Sequence, residues 1–189
     1  MITTERKWNW LQTYSGVQFY PLDPRVDEID ILDIAHALSN ICRFGGHCRT
    51  FYSVAEHSIN CSFEAKEEFK LAALLHDATE AYLVDVPRPI KSSLTNYREI
   101  EQNLAIAIAQ RFTPVGAGWL DFDNDAVHEV DDRMLMTEAA QLLGPHPAPW
   151  GNEALLPYDI KLGCWTPAQA KMKFIDRFTT LYHAHNLYY

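Results

Sequence analysis

No stretch of this sequence stays apolar for the roughly 20 residues that a membrane-spanning helix needs. Its start, Met1-Ile-Thr-Thr-Glu-Arg-Lys7, lacks the apolar core of a secretory signal. The expectation is a cytoplasmic protein (host cytoplasm if a phage carries it) with no membrane partner. Cysteine is scarce: Cys42, Cys48, Cys61 and Cys164 are the four in 189 residues, and no two form a CxxC pair. They read as reduced thiols, mostly in the core. Basic residues are outnumbered, 16 Lys and Arg against 25 Asp and Glu, for a net charge of −9. That balance works against non-specific nucleic-acid binding, which depends on neutralising phosphates. A few local arginines can still hold a small phosphorylated ligand. Internal repeats and low-complexity segments are also missing.

What is present is a core. Hydrophobic residues make up 48% of the chain, enough for one domain over residues 1–189. Residues 1–27 are aromatic and turn-rich (Trp8, Trp10, Tyr14, Phe19, Tyr20, then Pro21 and Pro24) and read as an irregular or short β arm. A catalytic core is expected over 28–143, and a C-terminal loop and helix over 144–189. Ile31, Ile34, Ala35, Leu38 and Ile41 recur at helical spacing. Gly45 and Gly46 permit a turn after them. Ser53 and Glu56 form a capping box that opens a helix carrying His57. Pro87 and Pro89 argue against a helix over 85–91. Asn96 and Asn124 are candidate caps, the first for a helix to about Phe112, ended by Pro114 and Gly116, the second for a helix to Leu143, ended by Gly144 and Pro145. Thr166-Pro-Ala-Gln169 opens the last helix, to about His183. Residues 144–165 are proline-rich and irregular. The sum is an all-α bundle of about six helices.

The pattern organises the chain around a helix over 69–82. At 100° per residue, Leu71, Leu74, Leu75, Ala78 and Tyr82 form one apolar stripe. His76, Asp77 and Glu80 fall together on the opposite arc, with Ala72 and Ala73 beside it leaving room above. An imidazole and two carboxylates within one turn suit a metal ion. His57 faces inward with Val54 and Cys61 at i−3 and i+4. On the 125–143 helix, Asp131 falls within the stripe of Val127, Val130, Met134, Leu135 and Leu142, whereas Asp132 lies about 100° further round, toward solvent. A carboxylate in an apolar stripe is costly unless paired or metal-bound. His57, His76, Asp77 and Asp131 thus make a candidate set for one divalent cation rather than two. His57, Asp131 and Glu80 have ordinary readings too: a satisfied core histidine, a buried salt-bridge partner and a surface residue.

These residues resemble the H…HD…D signature of HD-domain phosphohydrolases. Ile34-Ala-His-Ala-Leu-Ser39, Cys42-Arg-Phe-Gly-Gly-His47, Phe51-Tyr-Ser-Val-Ala-Glu-His-Ser58, Leu74-Leu-His-Asp-Ala-Thr-Glu-Ala81, Asp85-Val-Pro-Arg-Pro-Ile-Lys91 and Met136-Thr-Glu138 resemble the branch containing bacterial 5'-deoxynucleotidases and phage dATP triphosphohydrolases. The similarity covers about 28–143, with a weaker echo near Pro149-Trp150 and the last helix. It implies an HD-domain helical fold, one divalent cation (Co, Mn, Zn or Mg) and hydrolysis of a small deoxynucleotide. The favoured substrate is dATP, giving deoxyadenosine plus phosphates, with dADP and dAMP as further substrates. The alternatives are a 5'-deoxynucleotidase acting on monophosphates, an HD phosphodiesterase, or a non-catalytic nucleotide sensor. By position, His57, His76, Asp77 and Asp131 would hold the metal, Glu80 would position or deprotonate the attacking water, and Asp85 would support acid–base work. Arg43 would reach the substrate phosphate or sugar and Phe44 would pack by the base. Arg88 and Lys91 would hold remaining phosphate oxygens. His36 and His47 would orient ligands or cap turns. Two positions depart from the related pattern: Phe44 stands where Trp is common, and Gly46 is smaller than usual. Gly46 would leave the base edge open. A homo-oligomer is expected, with the arm in its contacts.

Overall fold

The computed structural model describes residue 6 and residues 9–113, 121–151 and 154–187, the last four as backbone only. The chain is mostly helical. Its strands are β1 (Leu11–Gln12) and β2 (Gln18–Phe19), paired antiparallel with Leu11 opposite Phe19. The helices are α1 (Ile31–Asn40), α2 (Val54–Glu64), α3 (Lys70–Leu75), α4 (Glu80–Leu83), α5 (Arg88–Lys91), α6 (Tyr97–Phe112), α7 (Asp125–Leu142) and α8 (Pro167–Leu187). Each of the six expected helices has a counterpart. Three details differ.

First, the buried centre is α2, not the 69–82 segment. Val54, Ala55, His57, Ser58, Ile59, Cys61 and Ser62 are all buried, and α1, α3, α7 and α8 pack around them. A helix buried along most of its length is a core element, although Phe63 near its end is exposed. Second, the 69–82 segment breaks into α3 and α4. The His76 ring takes the Ala73 carbonyl at 2.8 Å, competing with the helical ladder. The chain then tightens to i→i−3 bonds, Ala78 N to Leu75 O (3.0 Å) and Glu80 N to Asp77 O (3.0 Å). The apolar stripe of this segment is buried as expected. Ala72 and Ala73 do not leave open room, because they pack against Cys61, Val127, Val130 and Met134. Third, α5 exists despite Pro87 and Pro89. Pro87 is its N-cap residue and Pro89 lies in its first turn, where a missing N–H costs nothing.

Capping follows the sequence in part. Ser53 accepts from Glu56 N at 3.1 Å, and Asn124 accepts from Val127 N at 3.0 Å. Thr166 and Gln169 cap α8 reciprocally. Asn96 has helical φ/ψ and makes no side-chain cap bond. The Glu56 half of the Ser53 box is spent elsewhere: its carboxylate accepts from the backbone N–H groups of Gly163, Cys164 and Trp165 at 2.7, 2.9 and 2.7 Å. That tie brings the irregular 144–165 connector onto α2. Pro114 and Gly116 lie outside the described residues, as does Trp8. Of the cysteines, Cys61 alone is buried, and the other three are half-buried.

The arm packs on its own chain. Phe19 is fully buried and stacks on Tyr82 at 4.1 Å. Ser15 donates its N–H and hydroxyl to Asp33 at 2.6 and 2.8 Å. No helix among the described residues is long and apolar enough to cross a membrane.

Candidate metal centre

Three pieces of chain bring the ionisable groups together: α2 supplies His57, the α3–α4 turn supplies His76, Asp77 and Glu80, and α7 supplies Asp131. The His57 Nε2 lies 3.3 Å from His76 Nε2. It lies 3.5 Å from Asp77 Oδ2 and 3.2 Å from Asp131 Oδ1. His76 Nε2 lies 3.4 Å from Asp77 Oδ1 and 3.9 Å from Asp131 Oδ1. Donors about 2.1 Å from a common ion stand about 3.0–3.4 Å apart, from right-angled to tetrahedral coordination. Most of these separations match that range.

Protons decide the chemistry. The Nδ1 of His76 faces the Ala73 carbonyl, an acceptor, and Nδ1 of His57 faces the Glu138 carboxylate at 2.7 Å, also an acceptor. Both Nδ1 atoms must therefore donate, which leaves a lone pair on each Nε2 when the rings are neutral. Two lone pairs brought within 3.3 Å of each other among carboxylates call for a cation on which both converge. Asp77 Oδ2 and Glu80 Oε2 are buried with no hydrogen-bond partner, so they too fit a positively charged occupant. Without an ion, a proton serves: burial and Arg43 oppose it, but Cys61, Glu138 and Asp131 together hold His57 well above the usual imidazole value. Burial also opposes ionisation of Asp131. The hydrogen bond and charge of His57, then His76 and Arg43, outweigh that and hold the carboxyl well below its usual range.

A second donor set shares these histidines. His57, Cys61 and His76 have ligand atoms within 4.8 Å of one another, and this group could hold a metal ion. Cys61 was legible in the sequence as the i+4 neighbour of His57, but only as a marker of an inward face. Its sulfur lies 3.6 Å from Nε2 and 3.9 Å from Nδ1 of His57. Such near-equal distances place it beside the ring. A sulfur sharing an ion with Nε2 would stand in front of that atom and clearly farther from Nδ1. Burial also pushes the Cys61 thiol up to about 11, and the thiolate is the ligand form. Asp77 and Asp131 are therefore the better partners for the two imidazoles.

Glu80 sits three residues after Asp77 in the tightened turn, where side chains at that spacing eclipse. Burial, then Asp77 and Asp85, push its carboxyl well above the usual value. Asp85 is half-buried and is raised by burial, against the opposing charge of Arg43. It follows Val84, a β-branched residue with φ of 71°, a conformation such residues rarely adopt.

Arg43 enters through the loop after α1, pinned by Arg43 N to Tyr52 O at 2.9 Å and Val54 N to Ile41 O at 3.0 Å. Its Nη1 lies 3.6 Å from Asp77 Oδ2, and its Nη2 donates to Glu138 Oε2 at 3.1 Å. Glu138 itself was visible only as the end of a short motif, with no role attached. Arg88, half-exposed at the rim, spans two carboxylates, Asp131 Oδ2 and Asp132 Oδ1, at 2.5 Å each. Asp132 lies toward solvent as expected, with its side chain 33% exposed, and is also paired with Arg88. Lys91 turns away to Glu101 at 2.6 Å. Phe44 has its ring 5.7 Å from the Arg43 guanidinium carbon and 6.4 Å from the Trp150 ring. Gly46 has φ of 82° and no atom within 4 Å of a would-be Cβ, so it is open as expected. A side chain there would carry backbone strain. His36 orients no ligand of this centre. It stacks on Tyr14 at 3.8 Å. His47 closes the 44–47 turn through its backbone N–H.

The fold and these groups define a mostly helical protein with a candidate metal centre. No family model matches the chain. The chain is 45% identical over 104 residues to "Uncharacterized protein YfdR" of Escherichia coli, a match covering 55% of the chain and 58% of that protein. It is 37% identical over 113 residues to "Uncharacterized protein RCAP_rcc00048" of Rhodobacter capsulatus, covering 54% and 58%. The matched stretches span rather more than half the length of these relatives.

Proposed function

We propose that this chain is a metal-dependent phosphohydrolase of purine deoxynucleotides, of the HD-domain type, that converts dATP and water to deoxyadenosine and triphosphate, with dADP and dAMP as lesser substrates. The observation that carries the reading is the convergence of two imidazole lone pairs and the Asp77 and Asp131 carboxylates at coordination spacing. The substrate class rests on the resemblance of the sequence motifs.

A divalent cation bound by these four residues would neutralise phosphate charge and acidify a water. The remaining work falls to the chain's own groups. Glu80, buried and with a raised proton affinity, is placed to accept a proton from the attacking water. The water oxygen bonds to the α-phosphorus as the bond to the 5' oxygen breaks, and that oxygen takes up a proton. Asp85, also raised by burial, is a reservoir for it. Arg43 lies against Asp77 and presents a fixed cation to the phosphate or sugar. Arg88 can exchange its two carboxylates for phosphate oxygens, because more than half of its side chain is exposed (56%). Phe44 and Trp150 offer rings on which a base can stack.

The test is incubation of the purified protein with each deoxynucleoside mono-, di- and triphosphate and Mg, Mn, Co or Zn, resolving phosphate, pyrophosphate and triphosphate. Triphosphate from dATP supports the reading. Phosphate from monophosphates alone identifies the 5'-deoxynucleotidase instead, and no product from any deoxynucleotide rejects both.

A further inference from the structure

Glu138 is the most enclosed acid near the centre, with 0% exposure. It follows Asp131 by seven residues on α7, about two turns, so the two carboxylates share a helix face. They also share a target. Asp131 Oδ1 lies 3.2 Å from Nε2 of His57, and Glu138 Oε1 lies 2.7 Å from Nδ1 of the same ring. One helix therefore grips both nitrogens of one imidazole.

The second oxygen of Glu138 is equally committed. Oε2 accepts from Arg43 Nη2 at 3.1 Å and from Arg43 Nε at 3.3 Å. The other end of that guanidinium stands 3.6 Å from Asp77 Oδ2, and Asp77 returns to His57 Nε2 at 3.5 Å. The contacts close a circuit from His57 through Glu138, Arg43 and Asp77 back to His57. With His57 protonated on Nδ1, a carboxylate satisfies both of these neighbours where an amide does not. His57 and Arg43 donate to its two oxygens and the Tyr52 hydroxyl bonds it as well, and a carboxylate accepts at both oxygens without donating. An amide accepts at one end and donates at the other, so it could serve Arg43 and His57 together only by giving its N–H to Nδ1, which would move the ring proton to Nε2 and remove the lone pair from the metal centre.

We infer that Glu138 is a positioning residue: it fixes His57 as the Nδ1–H tautomer with its lone pair toward the metal centre, and it holds Arg43 beside Asp77. This deepens the metal-centre reading above and rests on it. Outer partners of this kind are worth about 10–100-fold in metal affinity.

The test uses Zn²⁺ as probe, without substrate. Isothermal titration should show Glu138→Gln binding Zn²⁺ about 10–100-fold more weakly than the unsubstituted protein. Equal affinity in the two would overturn the inference while leaving the metal centre standing. No Zn²⁺ binding by the unsubstituted protein would sink the metal centre itself, and this inference with it. Removing one charge from a buried pair can prevent folding, so a second measurement needs no variant. Long-range ¹H–¹⁵N spectra of the zinc-loaded protein should place the His57 proton on Nδ1, shifted downfield by the carboxylate. A proton on Nε2, or a freely exchanging Nδ1 proton, would overturn the assignment.

Discussion

The Nε2 atoms of His57 and His76 face each other at 3.3 Å, while each ring already donates its other nitrogen, to Glu138 and to Ala73. Two lone pairs held that close are unfavourable unless a proton or a cation bridges them. A divalent ion beside the two nitrogens, held also by Asp77 and Asp131, answers that need.

Asp77 joins the two imidazoles, with Oδ2 and Oδ1 at 3.5 and 3.4 Å from their Nε2 atoms. Asp77→Ala is expected to lose both bound metal and turnover. Elemental analysis checks it, and full occupancy in the variant would remove Asp77 from the donor set.

Glu80 is buried beside Asp77 with an unpartnered Oε2, yet the donor positions are filled without it. Glu80→Ala should keep the ion and lose about 10²-fold or more in kcat. Metal content and steady-state rates measured on the same preparation separate the two effects, because parallel loss of both makes Glu80 a ligand.

Arg88 binds the oxygen of Asp131 that points away from His57 and also holds Asp132. Arg88→Ala should therefore raise KM for the nucleotide while leaving metal binding as tight or tighter. Weaker metal binding in this variant would mean that Arg88 is needed to orient Asp131.

Glu56 bears on stability instead. Its carboxylate accepts three backbone N–H groups from residues 163–165 while fully buried. Glu56→Gln turns one acceptor into a donor facing an N–H, and should cost about 1–3 kcal/mol. Urea unfolding followed by circular dichroism measures it, and an unchanged midpoint would show that the connector contributes nothing.

The arm leaves Trp10, Tyr14 and Leu22 exposed by 46%, 61% and 67%, although Phe19 is buried in the same chain. A dimer or larger homo-oligomer is expected, with these side chains in its contacts. Light scattering at micromolar concentration decides it, and a monomer rejects it.

Much of this was legible because helices write their burial pattern at a fixed period. The stripes of α1 and α7 and the caps Ser53, Asn124 and Thr166 needed only local chemistry. The inward turn of Asp131 was readable for the same reason. What local pattern cannot carry is partnership. A Ser-x-x-Glu box looks complete by itself, yet Glu56 leaves it for a segment 107 residues away. The break after Leu75 depends on where the His76 ring turns, which the period of the leucines does not encode. Glu138 went without a role because its meaning lies in two residues, Arg43 and His57, that are 95 and 81 positions distant. Pro87 and Pro89 sit at the N-cap and first turn of α5, where a proline starts a helix as readily as it breaks one elsewhere.

The central claim is that Asp131, not Cys61, completes the centre with His57, His76 and Asp77. The direct measurement is Co²⁺ stoichiometry after chelation and reloading, on Cys61→Ser and Asp131→Asn side by side. We predict one ion per chain retained in Cys61→Ser and lost or much weakened in Asp131→Asn. Loss of the ion from Cys61→Ser with full retention in Asp131→Asn would contradict the account and assign the centre to His57, Cys61 and His76.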